Sequence, residues 1–110
     1  MGVRISEEVA RKGRVYPPVH PGRIIELEWL EPMEVSVYEL AKAAGVPRQR
    51  MYALVRGECG IRADTALRLS GALGVEPELW MGLQTDYALE MAEWERGEKI
   101  RKEPGSLAAG

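Results

Sequence analysis

A single cysteine, Cys59, and a single histidine, His20, stand in a chain of 110 residues. One cysteine excludes an internal disulfide and any thiolate metal cluster. One histidine, with no second ligand set near it, leaves no metal centre, so His20 reads as a structural residue at the start of the first helix and Cys59 as a bystander. No apolar run approaches the roughly 20 residues of a membrane-spanning helix, so no membrane contact is expected. The opening stretch MGVRISEEVARKGRVYPP carries both charge signs and no apolar centre, unlike a secretory signal, and the expected location is cytoplasmic. Gly2 and Ser6 fit a myristoylation pattern too short and common to carry weight. A Gly-rich phosphate loop and a paired-carboxylate pocket with a base beside it are also missing. Hence no catalytic residue, no cofactor and no metal are expected, and the chain does not read as an enzyme.

Basic residues are missing from two long stretches. Glu26 to Glu39 holds five acidic residues and no basic one, and Glu76 to Glu95 holds six acidic and again none basic. The formal net charge is -2. Between these stretches, from Lys42 to Arg68, six basic residues face two acidic ones, a local net of +4. A concentrated patch of this kind matters more for a polyanionic partner than the overall charge.

No strand-like alternation and no internal repeat occurs, and the punctuation predicts five helices, an all-α fold. Pro21 suits the first turn of a helix whose apolar residues are Ile24, Ile25, Leu27, Trp29 and Leu30, and which Pro32 ends or bends. Ser36 and Glu39 form a capping box for a second helix with Val37, Leu40, Ala41 and Ala44 on one face. Gly45 supplies a left-handed C-terminus, and Val46 turns into the core. Pro47 starts a third helix that Gly57 stops. The fourth runs from about Ala63 to Leu73 with Gly74 as terminator, and Pro77 starts a fifth that reaches about Arg96. The expected organisation is an arm over 1–19 with YPPVHP as an extended lead-in, a domain over 20–96, and a flexible tail over 97–110.

Helices two and three, about nine residues each around a tight Gly45 turn, have the layout of a helix-turn-helix. At about 100° per residue, the third helix puts Pro47, Met51, Leu54 and Val55 on its core side and Gln49, Tyr52, Ala53 and Arg56 opposite, with Arg48 and Arg50 at the edges. The first turn of such a helix meets base edges in the major groove, where arginine reads guanine and glutamine reads adenine. The expected base readers are Arg48, Gln49, Arg50, Tyr52 and Ala53, and the expected phosphate contacts are Ser36, Arg56 and Arg62.

From His20 to about Tyr87 the chain resembles the HigA-type antitoxins, a branch of the Xre/Cro-like helix-turn-helix regulators. The matching words are HPGRII, SVYELAKAAGVPRQRMYALVRGE, IRADTALRLSGALGVEPELWMGLQ and the DY just behind. The resemblance implies a lambda-repressor-like five-helix DNA-binding fold, a homodimer on a palindromic operator, repression of its own operon, and neutralisation of a RelE-like mRNA endonuclease toxin of the HigB type. A stand-alone Xre-family regulator without a toxin is the alternative. The chain departs from the family pattern at Pro47 and Arg62, where a capping Ser or Thr is usual, and at Glu58, where a basic residue is usual. These departures bear on the operator sequence rather than the fold.

The fifth helix spaces Trp80, Leu83, Tyr87, Met91 and Trp94 nearly as a heptad seam. Its first half reads as core and its second half as a dimer surface, with Tyr87, Met91 and Trp94 as the expected dimer contacts. Two recognition helices would then lie roughly 34 Å apart on DNA. For the toxin, the arm and the acidic face of helix one (Glu26, Glu28, Glu31, Glu34) are the two candidate surfaces.

Overall fold

The computed structural model describes residues 16–103 together with Gly105 and Leu107. Most of the expected arm, residues 1–15, lies outside them. The described residues are helical with no strand. Helix α1 has three consecutive segments, α-helical Pro21–Ile25, π-helical Glu26–Leu30 and α-helical Glu31–Met33; α2 is Val37–Ala44, α3 Arg48–Val55, α4 Ala63–Leu73 and α5 Pro77–Lys102.

Pro32 does not end α1. Its ring nitrogen cannot donate to the carbonyl of Glu28 four residues back, and the helix accommodates the loss by widening. The Glu31 N–H reaches the Glu26 carbonyl, an i→i−5 bond, and helical geometry continues to Met33. The helix closes with the Glu34 N–H on the Glu31 carbonyl and the Val35 N–H on the Leu30 carbonyl, the two bonds of a Schellman motif. The left-handed position in that motif is held by Glu34, φ 55°.

The same closure recurs with glycine. Gly45, φ 72°, ends α2, where the Val46 N–H donates to the Ala41 carbonyl at 3.0 Å. Gly57, φ 83°, ends α3, where the Glu58 N–H donates to the Ala53 carbonyl at 2.8 Å. The capping box of α2 is complete: Ser36 Oγ accepts from the Glu39 N–H, and the Ser36 N–H donates to Glu39 Oε1. The hydrogen bond from the Ser36 backbone N–H, with a further contribution from the Ser36 side chain, lowers the Glu39 carboxyl pKa below its usual value.

Val19–Tyr87 forms one unit, and the residues from Ala88 onward belong to a second. The first unit is built on Ile25, Leu40, Met51, Leu54, Leu69 and Trp80, each almost fully buried. The Trp80 ring packs on Trp29 at 4.8 Å between centroids, which explains a buried aromatic so early in α5. Val46 is buried as expected. In the second unit, helical structure continues to Lys102. Residues 97–102 are therefore helix rather than flexible tail, and the Glu93 carboxylate pairs with Arg101 at 2.7 Å along it.

Candidate nucleic-acid interface

Two close approaches set the pose of α3. A Cβ on Gly22 would fall on the Leu54 carbonyl oxygen and lie 2.9 Å from the Val55 Cα. The start of α1 thus rests directly on the backbone of α3, and glycine is required there for lack of space rather than for an unusual φ. Beside it, His20 caps α1: its Nδ1 accepts from the Gly22 N–H at 2.9 Å. The imidazole meets the Tyr87 ring edge-on at 4.9 Å between centroids and lies against Gly57. Burial lowers its pKa below the ordinary 6.5, partly opposed by a hydrogen bond with the Cys59 backbone. One histidine therefore ties together the start of α1, the end of α3 and α5, a structural role as the sequence suggests.

The loop after α3 is pinned by Gln84, whose Oε1 accepts from the Ile61 N–H at 2.8 Å. Neither α3 nor α4 has a side-chain cap, since Pro47 and Arg62 occupy the N-cap positions. Pro47 itself is not helical, and α3 begins at Arg48.

Met51 and Leu54 are buried while Arg48, Gln49, Arg50, Tyr52 and Arg56 are exposed and Ala53 is half-buried. The structure therefore brings the five expected base readers together on the outer side of α3. Ser36 is exposed at the start of α2, and Arg62 at the start of α4. A shallow cleft of about 290 Å³ lies between the two uncapped helix starts, lined by Arg50, Arg62 and Arg68 with Gly45 and Thr65. A second of about 380 Å³ is lined by Arg50, Ala53, Cys59, Arg62 and Gln84. Arg50 and Arg62 line both.

The other three arginines of the basic segment are engaged. Arg56 donates from Nε to Glu58 Oε2 at 3.1 Å and from Nη2 to Oε1 at 3.4 Å, and lies 6.0 Å from the Tyr52 ring centroid. Arg68 donates to Asp64 at 3.0 Å and to the Gly45 carbonyl at 3.2 Å. Arg48 stands over the Tyr38 ring at 5.4 Å. Sequence reasoning gave no role to Gly22, Tyr38 or Gln84 and saw Glu58 only as a departure. The Tyr52–Arg56 pair is readable from its i,i+4 spacing; the Tyr38–Arg48 pair joins two helices and has no such signal.

Tyr87 is half-buried in the first unit, against His20. Met91 and Trp94 are half-buried in the second, where Leu89 and Ile100 are more exposed. Of the acidic residues of α1, Glu28, Glu31 and Glu34 are exposed and Glu26 is paired with Arg23. No group of acidic, histidine or cysteine side chains suited to a metal occurs among the described residues, and among them no helix is long and apolar enough to cross a membrane.

A family model of the Cro/C1-type helix-turn-helix DNA-binding domain matches residues 28–79. Virulence-associated protein I of Dichelobacter nodosus is 45% identical over 80 residues, 73% of this chain and 74% of that protein. Antitoxin HigA-1 of Vibrio cholerae is 34% identical over 86 residues, 78% of this chain and 77% of that one. The solved structure of the Pseudomonas aeruginosa antitoxin HigA with the higBA promoter superposes with a TM-score of 0.78 at 35% identity, covering 83% of this chain and 99% of that one. Alike along most of its length to these proteins, the chain belongs to the HigA-type antitoxins of the Cro/C1-like helix-turn-helix family.

Proposed function

We propose that this protein is a homodimeric antitoxin that binds a palindromic DNA operator, represses its own operon and neutralises a RelE-like mRNA endonuclease toxin of the HigB type. The observation that carries the DNA half of this reading is the first turn of α3. Arg48, Gln49 and Arg50 are all exposed there, on a helix whose other side is fixed by buried Met51 and Leu54. A solved relative that covers most of this chain is the Pseudomonas aeruginosa antitoxin HigA with the higBA promoter.

In this reading Arg48, Gln49, Arg50, Tyr52 and Ala53 meet base edges. Ser36, Arg56 and Arg62 meet phosphates. Arg56 can exchange Glu58 for a phosphate at small cost, because an exposed ion pair contributes only about 0–1 kcal/mol. Tyr87, at the end of the first unit, and Met91 and Trp94, in the second, are the residues assigned to the dimer contact. The protein acts in the cytoplasm and carries no catalytic role.

The test is made with the small open reading frame beside this gene. Expressed alone, that frame should arrest growth; co-expression of this chain should restore it, and the two proteins should purify together. No arrest and no complex, with operator binding intact, would instead favour a stand-alone Xre-family regulator.

A further inference from the structure

Five arginines stand on or beside the recognition surface, and they differ in what holds them. Arg56 and Arg68 are fixed, but through their N–H donors: two from Arg56 go to Glu58, and two from Arg68 go to Asp64 and Gly45. Arg50 and Arg62 make no hydrogen bond or ion pair among the described residues, so no such bond orients their guanidinium groups. Arg48 alone combines the two useful properties. Its guanidinium carbon sits 5.4 Å from the centre of the Tyr38 ring, within the roughly 6 Å at which a ring face attracts a cation. It makes no hydrogen bond among the described residues. A ring face occupies none of the five N–H donors that a bidentate contact to guanine draws on.

Tyr38 is well placed for this. The completed capping box fixes the first turn of α2. Leu40, Ala41 and Ala44 take the buried side of that helix, and Tyr38 remains 48% exposed, with Arg48, the first residue of α3, over its ring. A free arginine side chain loses rotamer freedom when it is ordered on a ligand. An arginine already lodged on a ring loses less.

We infer that Tyr38 is a positioning residue for sequence readout: it pre-orders the Arg48 guanidinium with all donors free, so that Arg48 is the principal guanine reader of this protein. This inference rests on the DNA-binding reading above. It makes Tyr38, on the supporting helix, a determinant of operator specificity without a base contact of its own.

The experiment uses the full-length protein with two probes: a duplex from the region upstream of its own gene, and a scrambled duplex of the same length and composition. Y38A should weaken binding to the upstream duplex about two- to fivefold, the value of an exposed cation–π contact. Binding to the scrambled duplex and the salt dependence should not change. Y38F, which keeps the ring, should bind as the unmodified protein does. In an R48A background, Y38A should have no further effect. In the protein without DNA, the Arg48 Nε–H resonance should carry a ring-current shift that Y38F preserves and Y38A abolishes.

Three results would overturn the inference: equal losses from Y38F and Y38A, which would make the hydroxyl a direct contact; a full additional loss from Y38A in R48A; or equal losses on both duplexes. If the unmodified protein fails to distinguish the two duplexes, the DNA reading itself fails, and the inference with it. A sequence preference lost in Y38A and R48A alike, and kept in Y38F, upholds both.

Discussion

The two sides of α3 are built on opposite terms. On the inner side the contact is so close that the Gly22 backbone meets the Leu54 carbonyl, Met51 and Leu54 are sealed from water, and His20 closes the corner against Gly57. On the outer side Arg48, Gln49 and Arg50 are exposed, and the starts of α3 and α4 lack the side-chain caps that α1 and α2 have in His20 and Ser36. The inner side fixes where the helix points; the outer side leaves the N–H donors of Arg48 and Arg50 unengaged among the described residues. A substitution should therefore change stability on one side and DNA binding on the other.

The largest effect is expected on the inner side. Gly22→Ala must push α1 off α3, at a cost of about 3 kcal/mol in line with severe overpacking, read as a fall in Tm of more than about 10 °C. Gly82→Ala, where an added Cβ meets nothing within 4 Å, should instead stabilise the helix by about 0.5–1 kcal/mol. Equal effects at the two glycines would remove the close approach from the account.

Next comes the outer side. Arg48→Ala should relax base discrimination by about 1–3 kcal/mol while leaving the thermal transition within about 0.5 kcal/mol of the original. Competition binding and calorimetry on the same samples check both halves. A large loss of stability would show that Arg48 belongs to the packing and not to the readout.

Arg62→Thr sharpens the contrast because it should move the two properties in opposite directions. A threonine N-cap should stabilise α4 by about 1 kcal/mol. The same change should weaken every duplex alike and lower the slope of log affinity against log salt by about 1. A gain in stability with unchanged DNA binding would take Arg62 out of the phosphate contacts.

The smallest effect belongs to His20. Burial lowers its pKa below 6.5, so the folded chain prefers the neutral ring. The stabilisation is complete above pH 6.5 and is lost progressively as the pH falls towards the folded-state value, because the unfolded chain takes up the proton first. Protonation of Nδ1 would also remove the acceptor for the Gly22 N–H. Thermal melts from pH 7.5 to 5.5 should show this decline, and His20→Asn, which keeps a capping acceptor, should flatten it. Parallel profiles would assign the decline to other groups.

Local chemistry made much of this organisation readable from sequence. Ser36 with Glu39, the glycines at 45 and 57, and the turn of Val46 into the core are set by capping and left-handed φ within a few residues. The outer face of α3 followed from helical spacing alone. The unread features depend on what a second element brings. The reason for glycine at 22 lies in the Leu54 carbonyl. The π-helical turn in α1 combines the missing N–H of Pro32 with the packing that keeps the helix going. Glu34 occupies a left-handed position that sequence rules reserve for glycine. The Tyr38–Arg48 contact exists only once α2 and α3 are packed.

The most direct test of the two-sided account is an NMR titration of the isotope-labelled full-length protein with the upstream duplex. The amides of Ser36, Arg48 to Ala53 and Arg62 should shift first and furthest, while those of the acidic segment Glu26 to Glu34 stay near their free positions. Shifts centred on that acidic segment, with α3 unmoved, would contradict the account.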